Sequence, residues 1–585
     1  MASTTAMFSA LSGMTANSRS LDVVGNNIAN VNTTAYKSNR MLFSTQFSLT
    51  QRLGTAPREN SGGTNPLQIG LGVQVAGTQR NFTGGTVSAS GDARDLAIEG
   101  DGFFIVDRGG EQLYTRAGSF RTNAVNDLVS ISGERLQGYT VDDEFNIVQG
   151  ALTDLNIPLG TLTLAESTRN VRFSGNLNAQ GPIPTQGSSI NLLGTASGGF
   201  TAISTANPPP GAGNRLELTT RLVDIEDPAQ PGSNTPYFSA GQSLLFQNLE
   251  KGGKTLPTET FAITATSTIQ DLNDFLSGVL GLDASAGANP DGATPGIALD
   301  PATGILTITG NVGAVNDISI DASDIRLMSS TGAFVASPFI TDKNAASDGE
   351  SVRTTFIAYD SLGSPVSVDV SMVIDSRSNT GTRWRYFVES PDDSSATRAI
   401  STGTLDFDTL GQLITRDPVQ INIDRAGTGA ATPLSIDLSF AAGEDSVTSL
   451  TDDTSALAAT FTDGSPIGTL TSYGVGDDGV IYGAFTNGMT RVIGQVALAK
   501  FANAEGLVDV GGNMFRVGPN SGTPLVAEPQ TLGTGKLVSG ALELSNVDLS
   551  QEFINMILAS TGYSAASRVI RTTDELMQQL LVLGR

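Results

Sequence analysis

The side chains in this 585-residue sequence that could do acid–base or metal chemistry include adjacent acidic pairs. Three examples are Asp142-Asp143, Asp392-Asp393 and Asp477-Asp478. Paired carboxylates can hold Ca²⁺ or act as a general acid and base. None of the three pairs has the spacing of an EF-hand loop, and solvated turn residues are the commoner explanation of such pairs. We therefore interpret them as turn residues.

The composition argues against catalysis more broadly. The chain contains no His and no Cys, which removes the commonest general base, the thiol nucleophile and the usual zinc ligands. It also has no Gly-x-Ser-x-Gly elbow and no Gly-Lys-Ser/Thr phosphate loop. We predict that the protein is not an enzyme and uses no cofactor or metal.

The charge distribution separates the two ends of the chain from its middle. The net charge is −25, which disfavours binding to nucleic acid or to an anionic membrane. Residues 1–40 sum to +2 and residues 541–585 to −2, so the middle carries the whole excess of negative charge. No apolar run approaches the ~20 residues that span a bilayer, and no basic segment of a secretory signal opens the sequence. We expect no membrane insertion and no cleaved signal peptide, so export would use another route.

Both ends have the pattern of long helices. Large apolar residues recur at an interval of seven near each terminus, which is the seam of a coiled coil. The pattern predicts one helix over residues 3–29 and another that starts at 548 and runs to 583. The predicted assembly residues are Met7, Leu11, Met14, Leu21 and Ile28 in the first helix and Phe553, Met556, Tyr563, Ile570 and Met577 in the last.

Two arrangements of these helices remain open from the sequence. They either pair with each other at the base of one globular domain, or they become ordered only when many copies assemble. Neither has the strong Leu-Leu seam of a stable isolated coiled coil, and Gly13, Gly25 and Gly562 weaken them. We favour assembly.

The middle of the chain has the pattern of strands and tight turns, with 67 Gly and 6% aromatic residues. The predicted fold is α+β overall and multi-domain, with mainly β outer domains nested on a two-helix coiled-coil domain made by both termini. The predicted parts are an inner helical domain (1–32 with 548–585), an extended linker (33–76 with 531–547), a core β domain (77–157 with 455–530), a second β domain (158–185 with 345–454) and an inserted outer domain (186–344, with a helix over 268–280).

Several stretches resemble bacterial flagellar rod and hook proteins. The segment Gly25–Lys37, which contains Asn26, Asn27, Ala29, Asn30 and Asn32, is similar to the N-terminal signature of that family. Gly102-Phe103-Phe104 and Arg116-Ala117-Gly118 resemble its core domain, and Ser545–Phe553 resembles the start of its C-terminal helix. Residues 359–363 and 403–407 resemble the second domain of the hook branch. The resemblance extends over roughly residues 1–157, 345–415 and 465–585.

The resemblance implies a structural role in the extracellular part of the flagellum. A hook subunit polymerises with itself into a curved hollow tube, with its terminal helices lining the tube, and acts as a universal joint between motor and filament. Its partners would be the rod, the hook cap, the hook–filament junction proteins and the type III export apparatus, through which it leaves the cell uncleaved. The alternatives are a junction or distal rod protein of the same family, or a secreted adhesive or glycan-binding β protein.

Overall fold

The computed structural model describes residues 2–583 apart from 60, 196–197, 207–213, 396, 442–445 and 452–453. This part of the chain is mostly β, with three α-helices: α1 (Ala2–Ala29), α2 (Ile269–Val279) and α3 (Leu549–Leu583). All three helices are predicted from the sequence to within one or two residues at each end. Short 3₁₀ turns occur at Leu222–Asp224, Ala284–Ala286, Ala314–Asn316 and Ala504–Gly506.

The chain divides into two compact units. Unit 1 comprises Met1–Thr163 and Thr469–Arg585, and unit 2 comprises Leu164–Gly468. Both chain ends therefore belong to unit 1, and the sequence of unit 2 is inserted into it. The finer nesting and the domain boundaries given above stay predictions.

Side-chain caps fix where α2 and α3 begin. At α2, Thr268 and Asp271 form a complete capping box, and Ile269, Leu272 and Leu276 are buried on one face. At α3, the Asp548 carboxylate accepts hydrogen bonds from the backbone N–H groups of residues 550 and 551 at 2.9 and 3.2 Å. The Gln551 side chain donates to Asn555 and does not complete a capping box with Asp548.

Helices α1 and α3 pack against each other in unit 1 through small and polar side chains. A Cβ added at Gly562 would lie 2.9 Å from the side-chain amide of Asn17, so the two helices approach closely at that level. Val24 and Ala559 line one groove further along the pair, which makes the helices antiparallel. The buried residues at and beside this seam are Ala10, Ala16, Val24 and Asn27 on α1 and Ala559 and Thr573 on α3, and the Asn27 side chain among them bonds the backbone of Asn39.

The predicted large apolar stripe is not this seam. No predicted stripe residue is buried in the chain: Met7, Leu11, Phe553, Tyr563 and Met577 are exposed, and Met14, Leu21, Ile28, Met556 and Ile570 are half-buried. The physical reason is that small side chains permit the closest approach of two helices, so the large ones are turned outward. The interpretation of the stripe as an assembly surface stays a prediction.

The two segments that were predicted to form an extended linker contain β strands that pair with other strands. Strands Asn39–Thr45 and Val73–Arg80 form an antiparallel hairpin, which continues outward in Ser48–Arg52 and Leu67–Gly70. Residues 531–547 contain strands Lys536–Ser539 and Ala541–Glu543, which pair with Leu96–Glu99 and Val87–Ala89. Pairing satisfies the backbone N–H and C=O groups that an isolated extended segment would leave to water.

A large sheet forms the body of unit 1. Its order is Ser465–Val475, Val480–Phe485, Thr490–Val496, Arg135–Tyr139, Phe103–Arg108, Glu111–Thr115, Met514–Arg516 and Val508–Gly511. Shorter strands beside it are Arg121–Thr122, Leu128–Val129, Thr153–Asp154, Leu498–Lys500 and Leu525–Ala527. The strand Thr163–Glu166 lies where the chain passes from unit 1 to unit 2. One core beneath the sheet centres on Phe103, Ile105, Tyr114 and Phe515.

Unit 2 contains two separate hydrophobic cores. One core is built by two sheets, of strands Val419–Ile423, Leu434–Ser439, Asn170–Asn176, Val447–Thr448 and Ala456–Thr462, and of strands Ser351–Tyr359, Pro365–Ser378, Gly381–Glu389 and Ala399–Phe407. The other core lies within residues 190–339 and includes α2. Its strands are Ser189–Leu193, Ser243–Phe246, Glu250–Lys251, Lys254–Thr255, Glu259–Ala262, Gly296–Asp300, Ile305–Thr309, Ile318–Ser319, Ile325–Met328, Phe334–Ala336 and Ile340–Ala345.

A leucine at Gly562 should separate α1 from α3, whereas a leucine at Gly25 should not. Space is filled by Asn17 at Gly562, but nothing lies within 4 Å of a Cβ at Gly25. We expect Gly25→Leu to stabilise α1 by roughly 0.5–1 kcal/mol through helix propensity. Gly562→Leu gains the same helix propensity, but its side chain would collide with Asn17. We therefore expect this variant to lower the melting temperature of the helical circular dichroism signal. Equal melting temperatures for the two variants would contradict the close approach.

Candidate functional site

The Asn-rich motif closes the end of α1 and turns the chain back on itself. Asn27 is fully buried, and its side chain bonds both backbone groups of Asn39, from Nδ2 to O at 2.7 Å and from N to Oδ1 at 3.0 Å. Asn26 Nδ2 donates to the Tyr36 hydroxyl at 3.0 Å, and that hydroxyl donates to Asn27 Oδ1. The first strand of the hairpin is therefore fixed beside the last turn of α1.

The remaining motif residues of this segment have smaller roles in the chain. Asn30 Nδ2 donates to the backbone oxygen of Asn26 at 2.9 Å, and its Oδ1 accepts from Thr33 at 3.0 Å. Ala29 and Asn32 are exposed. The motif thus contains one buried residue, Asn27, that bonds the α1 end to the hairpin, and other residues that face solvent.

A buried carboxylate joins the motif to the far end of the sequence. Lys37 Nζ lies 2.6 Å from Glu543 Oε1 and also donates to the Thr83 backbone oxygen at 2.8 Å. The N–H of Ala35, held at φ +58°, donates to the Glu543 backbone oxygen at 2.8 Å. Residues more than 500 positions apart in sequence therefore share one contact, within unit 1.

The second core motif supplies another cation to the same carboxylate. Arg116 Nη1 lies 3.3 Å from Glu543 Oε2, and Nη2 donates to the Gly100 backbone oxygen at 2.6 Å. The side chains of Lys37 and Glu543 are 0% exposed and that of Arg116 is 4% exposed. Burial lowers the pKa of Lys37 and of Arg116, and the Glu543 carboxylate opposes that shift in both cases. We call Lys37, Arg116 and Glu543 the buried triad.

The glycines and phenylalanines of the two core motifs pack in the β structure that surrounds the buried triad. Gly118 packs so closely on the backbone oxygen of Leu96 that a Cβ could not fit. Gly102, at φ +128°, leads into Phe103, whose ring lies 5.6 Å from the guanidinium carbon of Arg116. Phe104 packs edge-on against Phe120. Ala117 is half-buried, and its N–H donates to the Thr115 hydroxyl at 3.0 Å.

Asn546 completes the junction on the side of α3. Its Oδ1 accepts from the Ser38 N–H at 2.8 Å, and its Nδ2 donates to the Asn81 backbone oxygen at 2.9 Å. The exit from α1 and the approach to α3 are thus bonded to each other and to the β structure of unit 1. The arrangement can fix the direction in which both helices leave the sheet.

Sequence reasoning did not find Glu543, and it placed Asn546 in the Ser545–Phe553 motif without giving it a role. The signal available was one acidic residue in the otherwise apolar run Ala541-Leu542-Glu543-Leu544, just before the C-terminal helix. A buried acid in such a run requires a cationic partner. Nothing in the spacing says that the partners are Lys37 and Arg116, because the pairing depends on the fold.

The acidic pairs occupy turns, as interpreted from the sequence. Asp142 Oδ1 accepts from the backbone N–H groups of residues 144 and 146 at 2.9 and 2.8 Å, and the latter bond is the main reason that the pKa of Asp142 is lowered. Asp392 and Asp478 likewise accept backbone N–H bonds, at 2.7 and 3.0 Å. Within the described ranges, no group of three or more acidic residues is placed to hold a metal ion. None of the helices described is long and apolar enough to cross a membrane.

The outward surface of the helix pair is the second part of the candidate site. Large apolar side chains on α1 and α3 lie in solvent, and exposed apolar patches of soluble proteins often mark interaction sites. Phe8 is 68% exposed and Ile557 is 62% exposed. The exposed set is Met7, Phe8, Leu11, Leu549, Phe553, Ile554, Ile557, Leu558, Tyr563, Val569, Leu576, Met577, Leu581 and Val582.

Removing the charge of Glu543 should destabilise unit 1. Glu543→Gln leaves Lys37 and Arg116 as buried cations without a carboxylate, which costs about 3–5 kcal/mol in comparable buried pairs. Glu99→Gln is the matched control, because the Glu99–Lys536 pair is about half exposed on both sides. The control should cost at most about 1 kcal/mol. Both values can be measured by urea unfolding of the full chain, and equal costs would contradict the role of the triad.

Family profiles match four separate parts of the chain. They are described as a flagella basal body rod protein (residues 7–37), a flagellar hook protein FlgE/F/G D1 domain (97–179), a flagellar basal body protein FlaE D2 domain (328–465) and a flagellar basal body rod FlgEFG protein C-terminal region (538–583). The first match contains the Asn-rich motif, the second contains Arg116, and the last contains Glu543 and α3.

Relatives of similar length match the chain from end to end. The flagellar hook protein FlgE of Treponema pallidum is 27% identical, with 99% of each chain covered. The protein of the same name from Caulobacter vibrioides is 27% identical over 100% of both chains, and that from Escherichia coli is 26% identical over 98% of both.

Among solved structures, the crystal structure of Helicobacter pylori flagellar hook protein FlgE2 is similar at 17% identity and a TM-score of 0.38. The match covers 78% of this chain and 100% of that one. The sequence matches span both termini, the core domain and the second domain, in the order that the motifs predict. The chain belongs to the bacterial flagellar hook protein family.

Proposed function

We propose that this protein is the structural subunit of the bacterial flagellar hook, polymerising into a curved hollow tube that passes motor torque to the filament. The observation that carries the proposal is the α1–α3 pair. Its seam is made of small and polar residues, while its large apolar side chains face outward. Such a pair can bury those side chains only against other copies of itself.

The surface chemistry suits an open, head-to-tail polymer. A contact between two different surfaces of the same chain generates a helical tube when it does not close into a ring. The ends of the chain are near neutral and the excess charge of −25 lies between them. Neutral helices can pack closely at the centre of a tube, and acidic β domains suit its watery exterior.

Bending requires contacts that change length as the tube rotates. Methionine side chains repack without a fixed shape, and Met7, Met14, Met556 and Met577 lie along the predicted assembly stripe. Half-buried Met14 and Met556 can exchange neighbours at lower cost than a closely interlocked core would allow. This supports the role of a flexible joint.

The family supports a proposal for the partners and the location. The proposal places the protein in the extracellular hook, exported through the flagellar type III apparatus and in contact with the rod, the hook cap and the hook–filament junction proteins. Relatives that bear the hook name match 98–100% of this chain and of their own, which favours the hook over the junction and distal rod alternatives.

Purified protein at high concentration and salt should form hollow tubes. The exposed apolar residues of α1 and α3 drive this assembly, and added salt strengthens apolar burial while it screens the acidic middle. Negative-stain electron microscopy is the measurement. Closed rings, or a chain that stays monomeric under all such conditions, would contradict the proposal.

Ile557→Asp should abolish tube formation without unfolding the monomer. Ile557 is 62% exposed on α3, so the monomer should lose no more than about 0.5 kcal/mol. Ile131→Asp is the control, since Ile131 is 86% exposed on a turn of unit 1 outside both helices. Sedimentation of assembled protein and thermal melts of the monomer separate the two effects. Tubes from the Ile557 variant would show that this face of α3 is not in the interface.

A further inference from the structure

A groove beside the helix pair contains a carboxylate oxygen without a partner. The groove has a volume of about 390 Å³ and is lined by α1, α3 and the first strand of the hairpin, with Asn17, Val24, Phe43, Glu552 and Leu558 among its residues. Oε2 of Glu552 is buried and accepts no hydrogen bond in the described chain. A buried carboxylate oxygen without a donor is costly, so a donor from outside the chain would be strongly favoured.

The cation nearest to this groove is already engaged. Arg40 also lines the groove, and its Nε donates to Gln79 Oε1 at 2.7 Å. Helix α3 itself offers a different cation, Arg568, which is exposed and forms no ion pair or hydrogen bond with any part of the chain that the structure describes.

The positions of Glu552 and Arg568 on α3 suit contact between two copies. They are 16 residues apart, which corresponds to about 160° around the helix and about 24 Å along it. One chain cannot join the two, because they face nearly opposite directions. Two copies placed side by side with an axial shift of about 24 Å can join them. A repeated contact of this kind uses different surfaces on each copy and does not close.

We propose that Glu552 in this groove receives Arg568 of a second copy of the chain, which makes the pair a specific ion contact between neighbouring helices in the polymer. The inference rests on the proposed function, since it names the surface through which copies join. Phe43 and Leu558 at this groove are exposed in the single chain, and a second copy seated there would cover them and lower the dielectric around the pair, which strengthens it. The contact selects the axial shift, whereas the apolar stripe alone permits sliding.

Charge reversal and its rescue test this pairing in the full chain. Glu552→Arg and Arg568→Glu should each raise the protein concentration needed for tube formation by at least about tenfold, because each places like charges in the contact. The double variant Glu552→Arg/Arg568→Glu should return it to within roughly threefold of the wild-type value. Arg571→Glu is a control that should assemble as the wild type does.

The outcomes separate the pairing from the proposed function. Wild-type tubes together with a double variant that does not assemble would overturn the pairing alone, as would single variants that assemble normally. A wild-type chain that forms no tubes would contradict the proposed function and this contact with it. Glu552→Gln, which keeps the shape of the side chain, should raise the required concentration less than Glu552→Arg, and monomer melts confirm that each variant folds.

Discussion

The close approach of α1 and α3 through small side chains is the constraint on which the rest of the account depends. Where Gly562 meets Asn17, a larger residue would have to displace the Asn17 side chain, because a Cβ there would lie 2.9 Å from its amide. A seam of alanines, glycine and asparagine buries little apolar area, and hydrophobic stabilisation is roughly proportional to the area removed from water. The pair therefore gains little from its own contact. None of the predicted stripe residues is buried in the single chain, and the proposed polymer would cover them with further copies.

The buried triad gives this weak pair a fixed direction. Burying ion pairs often adds little net stability, yet removing one partner is strongly destabilising, so such groups specify one arrangement. Glu543 bonds the turn after α1 through Lys37 and the sheet of unit 1 through Arg116. Asn27 and Asn546 fasten the same turn to the hairpin and to the segment before α3. In a hook, load carried between the inner helices and the sheet of unit 1 would pass through this junction.

Elements with a clear local signal could be predicted from the sequence. The apolar period gives α1, α3 and α2 nearly to the residue, and alternating apolar runs give strands such as Phe103–Arg108 and Ser351–Tyr359. The seam could not be predicted. The sequence pattern was judged by its large apolar residues, such as Met14 and Leu21, whereas the residues that the structure buries on α1 include Ala16 and Val24. The hairpin was missed because its paired residues are separated by 28 positions (Thr45 and Val73) to 41 positions (Asn39 and Arg80), which no local pattern reveals. Glu543 was missed because its partners come from the other end of the chain.

Hydrogen exchange of α1 and α3 in monomer and tube is the most direct test of the central claim, that these helices are completed by neighbouring copies. In the monomer, their amides should exchange with low protection while the sheet of unit 1 and the cores of unit 2 are well protected. On assembly, protection of both helices should rise by about two orders of magnitude or more, with little change in those cores. Helices that are as protected in the monomer as the sheet, and that gain nothing in the tube, would contradict the account.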